Sequence, residues 1–148
     1  MKSLKISLLM TLLCIVLNVQ AEEPVNDYNL VIKGFIEGYI NTDYRKMEKL
    51  VSRGVVEKLP REKSVLVNKY SEIIGLMKTN NMTKQDCTWE YKILAENEGL
   101  VIAQIDFNFE THTLREFITL ERGAKSWLVT GINKFFMPVA SNKVLSLN

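Results

Sequence analysis

The stretch that most limits what this chain can become is residues 99–109, GLVIAQIDFNF. Val101, Ala103, Ile105, Phe107 and Phe109 share one phase, while Gln104, Asp106 and Asn108 share the other. A period of two demands a strand with one buried and one wet face. Alternation returns from Leu114 to Leu120, and again from Lys125 to Phe136 after the Glu-Arg-Gly-Ala turn of residues 121–124. Consecutive strands on short turns make an antiparallel meander, whose apolar face must be covered. Only the N-terminal half can supply the cover, which predicts an α+β domain with three N-terminal helices packed on a curved antiparallel sheet. The layers leave room for a cavity between them.

That N-terminal half carries helical spacing. Tyr28, Val31, Ile32, Phe35, Ile36, Tyr39 and Ile40 recur at three and four residues, with Asn26 or Asp27 placed to cap the first turn. Gly34 and Gly38 lie beside this stripe, where close packing against another element explains a residue that weakens a helix. Asn41-Thr42-Asp43 interrupts the pattern, and Asp43 caps a second helix carrying Tyr44, Met47, Leu50 and Val51 that Ser52-Arg53-Gly54 ends. Residues 55–59 read as a short edge strand stopped by Pro60. A third helix is expected from Glu62 to Lys78, buried through Leu66, Tyr70, Ile73, Ile74 and Met77, and closed by left-handed Asn80 or Asn81. Cys87, Trp89, Tyr91 and Ile93 then alternate along the first long strand.

The chain has 148 residues, the length of one domain with a sizeable core. Lys2 and Lys5 precede an apolar run from Leu8 to Val19, and Val19-Gln20-Ala21 presents small or branched residues where a signal peptidase reads. The expectation is a signal peptide over residues 1–21, a single α+β cone domain over 22–148, and a secreted or periplasmic product with no stable membrane span. Leu13 is too bulky to precede a lipidated Cys14. Loss of Lys2 and Lys5 from 19 basic groups leaves 17 against 17 acidic ones, no electrostatic footprint for nucleic acid. Cys87 becomes the single mature cysteine, so no intrachain disulfide forms. Asn81-Met82-Thr83 fits the N-glycosylation pattern, which matters only in a eukaryotic host.

Two segments resemble a known group. Gly38-Tyr39-Ile40-Asn41-Thr42-Asp43 is similar, in a shifted arrangement, to the Tyr-x-x-Gly-x-x-x-x-Asp opening of small cone-shaped α+β proteins. Arg115 to Leu120, a charged turn, Lys125-Ser126-Trp127-Leu128-Val129-Thr130 and then Asn133-Lys134-Phe135-Phe136 resemble their closing hairpin. The group is the lumazine-binding family of the nuclear transport factor 2-like superfamily, with SnoaL-like and ketosteroid-isomerase-like relatives, and the resemblance spans about residues 26–136. It implies the cone fold. It does not imply one activity, because the superfamily mounts many on that fold. Many members carry a His-Pro-Asp-like segment where this chain has Ser52, Arg53 and Gly54, so no acid–base role transfers from it.

Three residues are weak catalytic candidates. His112 is the only imidazole, in phase with Leu114 and Glu116, and could look into the mouth of the cone with Glu116 in reach. Glu116 shares the apolar phase of its strand and is the better inward carboxylate, at a desolvation cost that requires a partner. Asp106 falls in the wet phase, outside. No histidine or carboxylate cluster has metal-ligand spacing, and no cofactor motif is present. Tyr39, Tyr70, Trp89, Phe107 and Trp127 are the candidate ligand-binding residues, giving apolar walls with polar handles for a small planar or apolar ligand. The preferred reading is an exported, non-enzymatic ligand-binding domain. An isomerase- or dehydratase-like enzyme, using Glu116 or Asp106 with Tyr39 or Tyr70 as donor, is the alternative. A homodimer through the outer sheet face is a third reading, and Gln104, Asp106, Asn108, Thr113 and Arg115 would make that contact modest and wet.

Overall fold

A computed structural model describes residues 27–138. The expected signal peptide and the last residues of the chain lie outside them. The order is α1 (Tyr28–Ile40), α2 (Tyr44–Leu50), β1 (Val51–Arg61), β2 (Ser64–Lys69), α3 (Tyr70–Thr79), β3 (Thr88–Glu96), β4 (Leu100–Asn108), β5 (His112–Arg122) and β6 (Trp127–Pro138). Three helices cover one face of a curved, unclosed six-stranded sheet in the order β2-β1-β6-β5-β4-β3. The β3–β6 meander is antiparallel, and β1 joins β6 in parallel. Among the described residues, no helix is long and apolar enough to cross a membrane.

Local chemistry explains most boundaries. Asp27 caps α1 by accepting from the Asn29 N–H at 2.8 Å, and Asp43 caps α2 by accepting from the Lys46 N–H at 3.1 Å. Val31, Ile32, Phe35 and Ile36 of α1 are buried against Val101, Ile105, Phe107 and Ile118 of the sheet, each side chain worth about 1.5–3 kcal/mol when removed from water. The expected close packing at the α1 glycines is with α2. A Cβ on Gly38 would stand 2.9 Å from the Met47 sulfur, and one on Gly34 3.0 Å from a Leu50 methyl.

Four expectations in the middle of the chain need correcting. The helix predicted over 62–78 is two elements, because Val65-Leu66-Val67 pairs with β1 across a two-residue turn and only Tyr70–Thr79 is helical. Two β-branched valines flanking Leu66, beside a waiting strand, outweigh the helical spacing of Leu66 and Tyr70. Ser52-Arg53-Gly54 does not follow a loop out of α2 but belongs to β1, at a register shift between Val51 and Val56 that Gly54 suits. Pro60 does not stop β1: it pairs with Val65, beyond the last β6 partner at Lys58, so its missing N–H costs no bond to β6. Asn80 ends α3 at φ −105°, and the left-handed residue there is Met82 at φ 62°.

Candidate functional site

Three charged side chains interrupt apolar phases, one each on β1, β5 and β6. Glu57 alternates with Val55 and Leu59, Glu116 with Leu114 and Ile118, and Lys134 with Ile132 and Phe136. Because Glu116 pairs with Lys134, and Glu57 with Ile132, the sheet brings all three together on its inner face. The Lys134 Nζ lies 2.7 Å from Glu57 Oε2 and 3.3 Å from Glu116 Oε1. Glu57 Oε1 also accepts from the Asn68 amide at 2.7 Å. Glu116 is fully buried, and neither of its oxygens has a hydrogen bond of good geometry. Burial raises its pKa above the ordinary carboxylate range, against the pull of Lys134, and Glu57 adds to the rise. Burial alone would lower Lys134, but Glu116 and Glu57 outweigh it and hold the ammonium above its usual value. The Tyr39 ring sits 5.2 Å from that ammonium, and burial with Glu116 nearby pushes its hydroxyl up to about 12. At neutral pH Tyr39 therefore remains a donor.

A chamber of about 100 Å³ opens beside this cluster, lined by Phe35, Tyr39, Met47, Glu57, Ile73, Leu76, Met77, Ile132 and Lys134. A second, wider hollow of about 240 Å³ is lined by Tyr39, Thr42, Leu76, Met77, Asn80, Thr83 and Gln85. Tyr39, Leu76 and Met77 belong to both, so the two hollows adjoin. The rim of the wider one is unusual backbone. Thr42 has φ 49°, a left-handed value costly for a β-branched residue, and its hydroxyl donates to the Thr83 carbonyl at 2.7 Å. The Gln85 N–H donates to the Ile40 carbonyl at 2.7 Å and ties the segment before β3 to the end of α1.

The residues expected to act together are dispersed. Tyr39 lines the chamber and stacks on Phe107, with ring centroids 4.4 Å apart, while Phe107 itself is fully buried. Trp89 pairs with Phe107 across β3 and β4 but is 44% exposed at the sheet edge. Trp127 stands at the other end of the core, edge-on to Tyr28 at the start of α1. Tyr70 is buried under the Arg53 guanidinium, with no hydrogen-bond partner for its hydroxyl. His112 stacks on Phe109 at 4.8 Å and is four strand residues from Glu116, about 13 Å, so the proposed pair does not form. Asp106 is on the outer face but nearly dry, because Arg115 grips both its oxygens at 2.8 and 2.7 Å and Gln104 donates to them. Those donors, Arg115 first, hold its carboxyl below the usual range, which fits a clamp and not a base.

The sequence matches no protein-family model, and no curated protein matches it either. Solved structures do match. An NTF2-like protein of unknown function from Silicibacter pomeroyi DSS-3 superposes with a TM-score of 0.62 at 12% identity, over 74% of this chain and 92% of that one. Another, from Shewanella baltica OS155, gives 0.62 at 13% identity over 75% and 94%. A cystatin-like fold protein from Burkholderia xenovorans LB400 gives 0.61 at 10% identity over 75% and 89%. The chain has the nuclear transport factor 2-like fold.

Within this nuclear transport factor 2-like cone, sequence reasoning found Glu116 and Tyr39 but missed Lys134, Glu57 and Asn68. The signal was present for two of them, since Lys134 and Glu57 are charges in apolar phases just as Glu116 is. Their meeting depends on the parallel β1–β6 pairing, and Asn68 depends on β2, which read as helix. The outer face of the cone also differs from expectation. Its β3–β5 half is polar as foreseen, but Val56, Val65, Val67, Phe135 and Met137 are exposed on the β2, β1 and β6 half.

Proposed function

We propose that this chain is an exported, non-enzymatic domain that holds a small, mostly apolar ring compound inside the cone. The observation that carries the reading is a largely apolar chamber lined by the exposed Leu76 and by the Lys134–Glu57 pair. Phe35, Met47, Ile73 and Ile132 offer a hydrophobic wall, and Lys134 and Tyr39 supply donors at the inner end. Lys134 has three protons, two of which face carboxylates; the third is available to an acceptor on a ligand. Lys134 faces two carboxyl groups, so the cluster carries no net positive charge, and a neutral ligand with a carbonyl or ring nitrogen suits it better than an anion. The chamber is well below the roughly 300–1,000 Å³ of drug-sized sites, which favours one or two fused rings.

An isomerase- or dehydratase-like reaction has less support. It needs a carboxylate with a free lone pair in the chamber, whereas Glu57 uses both oxygens, Glu116 does not line the chamber and Asp106 is clamped outside. Calorimetric titration tests the binding reading, with lumazine as the first probe because of the family resemblance, and phenol and indole as neutral controls. Saturable one-to-one binding of at least one probe is expected. Leu76→Trp, at a position 60% exposed, should weaken it at least tenfold without lowering the melting temperature. Absence of saturable heat from all three would overturn the proposal.

A further inference from the structure

The two edges of the sheet are built differently. β3 carries Glu90, Lys92 and Glu96 and has a register shift between Ile93 and Ala95, the usual means of blunting an edge. β2 has no register shift, and its one charge, Lys69, stands at its end: it pairs with β1 without interruption, and Val65, Leu66 and Val67 are 54%, 43% and 47% exposed. No strand flanks its outer side among the described residues. Over Val65-Leu66-Val67 this edge offers unpaired backbone groups with no charge to repel a second strand.

We infer that the free edge of β2 pairs, antiparallel, with β2 of a second copy of this chain. Opposite residues in an antiparallel pair point to the same face, so a two-fold axis perpendicular to the sheet must set inner residues against inner ones. Centred on Leu66, that arrangement opposes Leu66 to its own copy and Val65 to the partner's Val67, an aliphatic match in both directions. It also sets Lys63 of each copy opposite the partner's Lys69, a like-charge pair at each end that Glu62 in the same turn and Glu72, which accepts from the Lys69 N–H, must offset. Val56, Val65 and Val67 would then form one apolar strip continuing across both sheets. Six residues span only about 20 Å, so the contact lies at the low end of interface sizes and forms a weak, concentration-dependent dimer.

Sedimentation velocity from low micromolar to several hundred micromolar tests this, on the full chain. Dimer should appear with concentration, together with slowed hydrogen exchange at alternate β2 amides. Leu66→Lys sets two ammonium groups against each other and should raise the dissociation constant at least tenfold, whereas Phe135→Lys on the outer face should leave it unchanged. In a Cys14→Ser, Cys87→Ser background, Leu66→Cys should cross-link to its copy under copper–phenanthroline well ahead of Leu30→Cys on α1. The paired Cα atoms would lie about 4.5–5.5 Å apart, within disulfide range. A monomer throughout, equal cross-linking at both cysteines, or a dimer lost in Phe135→Lys but kept in Leu66→Lys would each overturn the inference.

Discussion

Glu116 shows most clearly how one residue answers to its surroundings. It stands where a leucine or isoleucine would continue the strand pattern, and the sheet gives it one ion-pair partner at 3.3 Å and no exposure to solvent. The folded protein therefore binds its proton more tightly than the unfolded chain does, whose carboxyl titrates near 4.5. Stability from that proton is complete below the unfolded value and falls as pH rises through the higher folded one. Gln at this position has no proton to lose. Thermal unfolding of Glu116→Gln should match the parent below about pH 4 and gain on it as pH rises above that, until the folded carboxyl has titrated. Parallel profiles across the range would mean that Glu116 titrates alike in the folded and unfolded chain.

At the scale of elements, the helices are held by different means. Gly75 sits inside α3 with nothing within 4 Å of a built Cβ, while Gly38 in α1 faces the Met47 sulfur at 2.9 Å. Gly75→Ala should stabilise the protein by about 0.5–1 kcal/mol, the helix-propensity gain alone. Gly38→Ala forces Met47, a buried residue, to move. The overpacking, about 1–3 kcal/mol, should exceed the propensity gain and leave that variant less stable than the parent. Urea unfolding of both, read as a shift in midpoint at constant slope, checks the contrast. The alternating strands β3 to β6 and the two capped helices could be read from spacing, because each buries a face set by its own period. β2 could not: Val65-Leu66-Val67 is continuous, without a period, and its state is decided by β1 beside it.

For the whole molecule, the cone places an apolar chamber between layers and a charged cluster at its inner end, while an aliphatic edge is left at one side of the sheet. The export proposed above carries a change of net charge at this scale as well. Cleavage after Ala21 should give a product whose mass begins at Glu22 and whose isoelectric point falls below the value of about 8.5 for the full sequence. Mass spectrometry and isoelectric focusing of the exported material check both. A product retaining Lys2 and Lys5 would remove the export reading and leave the cone unaffected.

The sequence alone determined the fold class, the inward phase of Val101, Ile105 and Phe107, and the inward carboxylate at 116, because alternation and helical spacing are local and burial follows from them. Tertiary structure decided everything that joins distant segments. The parallel registration of β1 on β6 set Glu57 beside Lys134, the close approach of α1 to α2 and α3 shaped the chamber, and Arg115 closed over Asp106 on the far face. Which strands lie side by side is fixed by the packing of the whole sheet, and no single stretch carries that information.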